Sequence, residues 1–203
     1  LSLNDSLSLN SAFRADDYDG KEVSYTGSVR VSFRYNEGSL LHMGISRAMR
    51  IPSFTELYYN DPTTVGNAGL SPEKSLTYEA GVSFKQQKLF ISSVFFFRDE
   101  DNFIDWVKSD SSQSKWEAYN IASSGVLGFE EYIQYTFSDW LSLKANYAYT
   151  NRSKDSKGYI YKYGENYARH LASIISVFNL SFGPQEFGIT YKKSPSRSGW
   201  LLA

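Results

Sequence analysis

Cysteine is absent from the 203 residues, which excludes disulfide frameworks, thiolate metal sites and cysteine nucleophiles. Histidine is nearly absent too: His42 and His170 stand alone, with no metal-ligand spacing between them. No apolar run approaches the roughly 20 residues that a membrane-spanning helix needs. An excess of charge of either sign is also missing, with 21 Lys and Arg against 22 Asp and Glu. A net charge of -1 gives no general pull towards nucleic acid or anionic lipid. The opening "LSLNDSLSLN" has no basic segment leading into an apolar core, so no signal peptide is expected there.

What the chain does have is rings: 16 Tyr, 14 Phe and 4 Trp. Mean hydropathy is nevertheless negative, at -0.41. A chain both ring-rich and polar on average implies surfaces that alternate between the two, as β structure does. Period 2 recurs throughout. Leu141, Leu143, Ala145, Tyr147 and Tyr149 alternate with Ser142, Lys144, Asn146, Ala148 and Thr150. Val29, Val31, Phe33 and Tyr35 alternate with Ser28, Arg30, Ser32 and Arg34. Successive strand side chains face opposite ways, so each such strand has an apolar and a polar face.

The pattern predicts nine strands, near 6–15, 21–35, 39–50, 75–86, 88–99, 120–137, 140–151, 170–182 and 186–193, and no helical period. "YNEGS", "KQQK", "FSDW" and "FGPQE" read as tight turns, and 51–74, 100–119 and 152–169 as long excursions. In an antiparallel meander this order puts the short turns at one end and the long loops at the other. Outer-membrane barrels have that asymmetry, with strands that alternate apolar-out and polar-in. The expectation is an all-β, antiparallel up-and-down meander. A soluble β-sandwich also alternates, but its strands usually run to about 5–6 residues.

One stretch carries a family resemblance. "SRAMRIPSFTELYY", followed by "GNAGLSPEKSLTYEAGVSF", resembles a segment of TonB-dependent outer-membrane receptors. There a strand ends at "RxP", "ELY" follows, and a loop leads to "GNxxLxPEKSxxYExG" and the next strand. The matching residues are Arg50, Pro52, Glu56, Leu57, Tyr58, Gly66, Asn67, Leu70, Pro72, Glu73, Lys74, Ser75, Tyr78, Glu79 and Gly81. Ala68 stands where proline is common. "FRADDY", "YNIASSGVLGFEEYIQYTFSDWLSLKANYAYT" and "YARH" extend the likeness over most of the chain, the last without the usual proline.

The resemblance implies a portion, from the C-terminal half, of a 22-stranded transmembrane β-barrel with a plugged lumen. Residues 1–203 would supply about nine strands, with the plug domain and the final strands absent. It implies ligand capture and energy-coupled import with no covalent chemistry and no cofactor. Expected partners are outer-membrane lipid, the TonB–ExbB–ExbD complex acting through the missing plug, and a small-molecule metal chelate or vitamin: ferric siderophore, cobalamin or haem. Nucleic acid is not expected. The location would be the outer membrane of a Gram-negative bacterium. "IPSFTELYYNDPT" is similar to cobalamin-receptor relatives.

Candidate ligand residues are the loop aromatics Tyr58, Tyr59, Trp106, Trp116, Tyr119, Tyr159, Tyr161 and Tyr163, together with Arg169. Rigid rings give contact area at low entropy cost, although each could equally serve the interfacial belt. The motif residues are expected to shape the loop, with Pro52 ending a ladder and Gly66 and Gly69 allowing bends. Arg30, Arg34 and Lys144 are expected in the lumen, with Glu79 and Glu130 as partners.

Other chemistry finds little support. Glu130 and Glu131 are adjacent on a strand, face opposite sides and cannot act as a paired acid and base. Asp99, Asp101 and Asp105 lack the glycine of a calcium loop. Asn151-Arg152-Ser153 matches a glycosylation sequon by chance. A different reading remains: a soluble β-domain binding single-stranded nucleic acid or carbohydrate through aromatic faces.

Overall fold

Alternation of this kind needs long strands to be useful, and the computed structural model has them. It describes residues 6–18, 22–154, 158–163, 167–195 and 198–202. Nine long strands form one antiparallel sheet: β1 (Leu7–Tyr18), β2 (Glu22–Asn36), β3 (Ser39–Arg50), β5 (Glu73–Gln86), β6 (Leu89–Lys108), β7 (Trp116–Ser138), β8 (Leu141–Lys154), β10 (His170–Leu180) and β11 (Gly183–Lys193). A short β12 (Ser198–Leu202) continues past β11. Two two-residue pieces, β4 (Thr64–Val65) and β9 (Ile160–Tyr161), pair with β7 and β6 off the main path. Each long strand pairs with its sequence neighbour among them, so the sheet is an up-and-down meander, open at β1 and β12.

Register gives the two faces their character. Phe33, Leu41 and Val82 lie in one cross-strand row, and Val31, Met43, Ala80 and Phe95 in the next. This face carries most of the exposed rings and aliphatics, with Phe13 76%, Met43 70% and Phe187 64% exposed. Among the described residues no second sheet covers it. Rings collect near its two margins: Tyr25, Tyr78, Phe97 and Tyr149 above, Tyr35, Phe84, Tyr135 and Trp140 below. The opposite face holds Arg30, Glu79, Glu130, Lys144 and Glu186.

A wall one layer thick leaves little to bury, so the water-free contacts lie elsewhere. Of the six buried aliphatic side chains among the described residues, those of Ile104, Val107, Ala118, Ile121 and Val126 belong to the upper part of β6 and β7. Here the structure corrects the expected excursion at 100–119. Residues 100–108 and 116–119 are strand, and only 109–115 form the connection. The polar run Asp99–Asn102 hides the alternation, and Asn102 takes a left-handed conformation, φ 56°. A second difference is α1 (Phe54–Tyr58), a single turn too short for a helical period. Of the expected loop 152–169, residues 155–157 and 164–166 lie outside the described residues.

Candidate functional site at the long-loop end

β3 ends in an arginine that four hydrogen bonds hold in place. Arg50 donates through Nε and Nη2 to Glu73 at 2.6 and 2.7 Å. It donates through Nη1 and Nη2 to Glu56 at 2.9 and 3.0 Å. Such forked, charge-assisted pairs fix orientation as well as distance. Glu56 is also half of a capping box: it accepts from Ser53 N at 2.7 Å while Ser53 Oγ accepts from Glu56 N at 3.3 Å. Burial favours its neutral form, but hydrogen bonds from Arg50 and Ser53 outweigh that and hold its carboxyl below the ordinary range. The Arg50 guanidinium is raised above its ordinary value, first by its bonds to Glu73 and then by those to Glu56. Glu73 further accepts from the Ile104 amide at 2.7 Å. One cluster therefore ties the end of β3, the start of β5, α1 and the raised part of β6.

The segment 51–72 then runs along β7. Trp116 N donates to Thr63 O at 2.8 Å where β4 pairs with β7 in parallel. Gly66 is required because a Cβ there would lie 2.8 Å from the Glu56 carbonyl oxygen. The reason is close backbone approach, not the tight bend expected of it. Asn67 O accepts from Leu70 N, and Asn67 Oδ1 accepts from Gly69 N at 2.9 Å. Asn120, within the "YNIASSGVLGFEE" likeness but given no role there, closes the segment: its Oδ1 accepts from Ser71 N at 2.8 Å, and its Nδ2 donates to Ser71 O at 3.0 Å and Asn102 O at 2.7 Å. On the other flank β9 adds to β6, and Lys162 N donates to Trp106 O at 2.9 Å. Two segments distant in sequence thus dock on either side of one raised β6–β7 hairpin.

That docking brings part of the expected aromatic set together. Trp106, Trp116 and Tyr119 lie on strands, not on a loop as expected, and Tyr161 lies on β9. Lys108 Nζ stands 5.0 Å and Lys162 Nζ 5.9 Å from the Trp116 ring centroid, and Lys162 Nζ is 5.5 Å from that of Tyr163. Tyr119 and Tyr159 have ring centroids 5.3 Å apart. The Tyr159 phenol is raised, chiefly by its hydrogen bond with Tyr119. The two lysines were not anticipated, since only the pairing of β9 with β6 brings Lys162 to the ring that Lys108 already faces. Tyr58 packs against Phe54 in α1, the rings tilted by 55° with centroids 5.1 Å apart, and Tyr59 donates to Asp61 at 3.0 Å. Arg169 sits at the foot of β10, where its carbonyl accepts from Thr150 N at 3.0 Å. These three have partners outside the Trp116 cluster.

Among the other motif residues, Pro52 is buried beside the capping box, and Leu57 N donates to Ser53 O at 3.1 Å. Pro72 directly precedes β5, and Lys74, Ser75, Tyr78, Glu79 and Gly81 lie within it. The inner wall pairs its charges. Arg30 reaches across β3 at Gly44 to Glu79, as expected, whereas Lys144 bonds Glu186 at 2.9 Å. Higher up, Arg152 lies 3.2 Å from Glu100 and 4.6 Å from the Phe103 ring centroid.

A family described as TonB dependent receptor-like, beta-barrel, matches residues 1–201. A vitamin B12 transporter, BtuB of Photobacterium profundum, is 26% identical over 119 residues, covering 58% of this chain and 19% of that protein. The siderophore receptor PirA from Pseudomonas aeruginosa shares the fold at TM-score 0.72 and 20% identity, over 98% of this chain and 36% of its own. A ferric enterobactin receptor, PfeA from Pseudomonas aeruginosa, solved as a mutant with enterobactin, gives TM-score 0.72 at 20% identity, over 94% of this chain and 31% of its own. The chain thus spans well under half the length of each of these relatives. With a family match over nearly its whole length, and the same meander in its solved relatives, this chain belongs to the TonB-dependent receptor family of outer-membrane β-barrels.

Proposed function

We propose that this chain is a stretch of wall from a Gram-negative outer-membrane receptor that imports a scarce, anionic metal chelate. The stretch belongs to the C-terminal half of a longer barrel, and import draws energy from TonB–ExbB–ExbD through a plug outside residues 1–203. The observation that carries the reading is the platform at the long-loop end, where Lys108 and Lys162 converge on Trp116 beside Tyr119, Tyr159 and Tyr163. Flat rings offer contact area to a planar, delocalised ligand, and the two ammonium groups favour negative charge. The bare apolar face and the paired charges of the inner wall suit lipid outside and a wet lumen inside. Trp106, Tyr161, Tyr58, Tyr59 and Arg169 belong to the same rim and contribute less. The fold likeness to siderophore receptors supports the chelate class. The BtuB relative supports a second reading, cobalamin, whose bulk would need the rings more than the lysines.

Uptake of labelled ferric siderophores and of cobalamin by cells carrying the complete receptor tests this. Lys108→Ala/Lys162→Ala should weaken chelate binding about tenfold or more, as loss of roughly 1.4 kcal/mol requires. A variant that reaches the outer membrane in normal amount and imports the chelate at the unaltered rate refutes the platform. Cobalamin uptake lost with Trp116→Ala but kept in the double lysine variant would decide for the second reading.

A further inference from the structure

The apolar face contains one misfit. Between its upper and lower rings, Glu131 is the single carboxylate that the register turns outward among the described residues, while Arg47 and His170 also face outward, level with the upper rings. Cross-strand pairing puts it beside Ser93 and Tyr147, in the rows of Phe129 and Ile133 rather than with the lumenal Glu130. The tandem "EE" forces this, since adjacent strand residues face opposite ways. Ser93 Oγ donates to one carboxylate oxygen, Oε2, at 2.6 Å. The nearby Tyr147 hydroxyl pairs instead with His170 Nδ1 at 2.9 Å.

Ser93 also lines a groove. It encloses about 450 Å³, and its lining includes Phe33, His42, Met43, Val82 and Phe95. A carboxylate with a single protein donor therefore stands at the edge of an apolar recess, midway across the belt.

We infer that this notch docks a membrane-embedded protein segment that brings a cationic donor to Glu131 and fills the groove with apolar side chains. The inference rests on the outward face meeting bilayer, as proposed above. Charge complementarity selects the occupant. Lipid tails carry no donor, and headgroups and water lie beyond the rings, whereas a polar side chain inside a membrane draws protein partners. A second copy of this wall offers no cationic side chain in the row of Glu131 among the described residues, its outward Arg47 and His170 standing nearer the upper rings.

The test uses the complete receptor in its own outer membrane, with Phe95→p-benzoylphenylalanine as photocrosslinker and Phe187→p-benzoylphenylalanine as a control on the same face. The expected result is a protein adduct at 95. Its crosslinked peptide is a membrane-embedded segment with Arg or Lys beside the apolar contact. The adduct falls at least tenfold in Glu131→Leu and persists in Glu131→Asp. In vesicles of phospholipid alone, Glu131→Leu raises the urea midpoint, because the unmatched carboxylate is gone. An adduct with lipid only, with a second receptor, or with a protein indifferent to Glu131 overturns the inference. So does a lowered midpoint in pure lipid, which would mean that the wall itself satisfies the carboxylate. If position 187 yields no lipid adduct, the bilayer reading beneath the inference fails, and the inference with it.

Discussion

Replacing Arg50 by methionine keeps most of the packing volume of its stem and removes the fork that joins Glu56 to Glu73. In the wild type that fork makes four bonds of 2.6–3.0 Å. The two carboxylates are mostly shielded, with side chains 14% and 17% exposed, but Arg50 itself is 45% exposed. A fully buried pair would lose about 3–5 kcal/mol on losing one partner, and an exposed pair at most about 1. Solvent screening at Arg50 brings the expected loss to about 1–2 kcal/mol, felt in the docking of 51–72 rather than in the barrel wall. Such a loss changes a local opening equilibrium about 5–30-fold. Hydrogen exchange of the complete receptor reads it directly at the Leu57, Tyr59 and Ile104 amides, which donate to Ser53 O, Thr55 O and Glu73 Oε1. A cycle with Glu56→Gln isolates the coupling. Acid should reproduce the loss. The folded value of Glu56 lies below its ordinary 4.5, so its contribution is whole above that pH and fades as pH falls through the lower folded value. Protection unchanged in Arg50→Met, or a coupling near zero, refutes the clamp.

Asn120→Ala removes three hydrogen bonds of 2.7–3.0 Å from a part-exposed site. About 2 kcal/mol of local stability goes with them, and exchange at the Ser71 amide should speed at least tenfold. In Gly128→Leu the new side chain collides with the Phe96 ring, which lies over the glycine on the lumenal face. Displacing that ring costs about 1–3 kcal/mol, seen as a lower temperature for loss of heat-modifiable gel migration. Arg30→Met should change that temperature little, because Arg30 is 52% exposed and the pair with Glu79 sits in a wet lumen.

Much of the wall was legible in the residues themselves. Val29 to Tyr35 and Leu141 to Thr150 alternate so strictly that a one-residue slip would exchange oil for water along the whole strand. "EE" at 130 and 131 dictated one outward carboxylate in the same way. The raised ends of β6 and β7 were hidden because both faces are covered there by other segments, so polar and apolar residues no longer need to alternate. Asp105 and Ala118 are both buried in that region. Period 2 reports only a strand with one wet face.

The sequence by itself determined the meander, its two faces and its short-turn and long-loop ends, since these follow from local turn chemistry and from which side of each strand meets water. Only the tertiary structure decided the site. Arg50 meets Glu73 across 23 residues, and Lys162 meets Trp116 through β9 lying on β6. Contacts of that kind depend on where distant segments dock, and no periodicity within a strand encodes it.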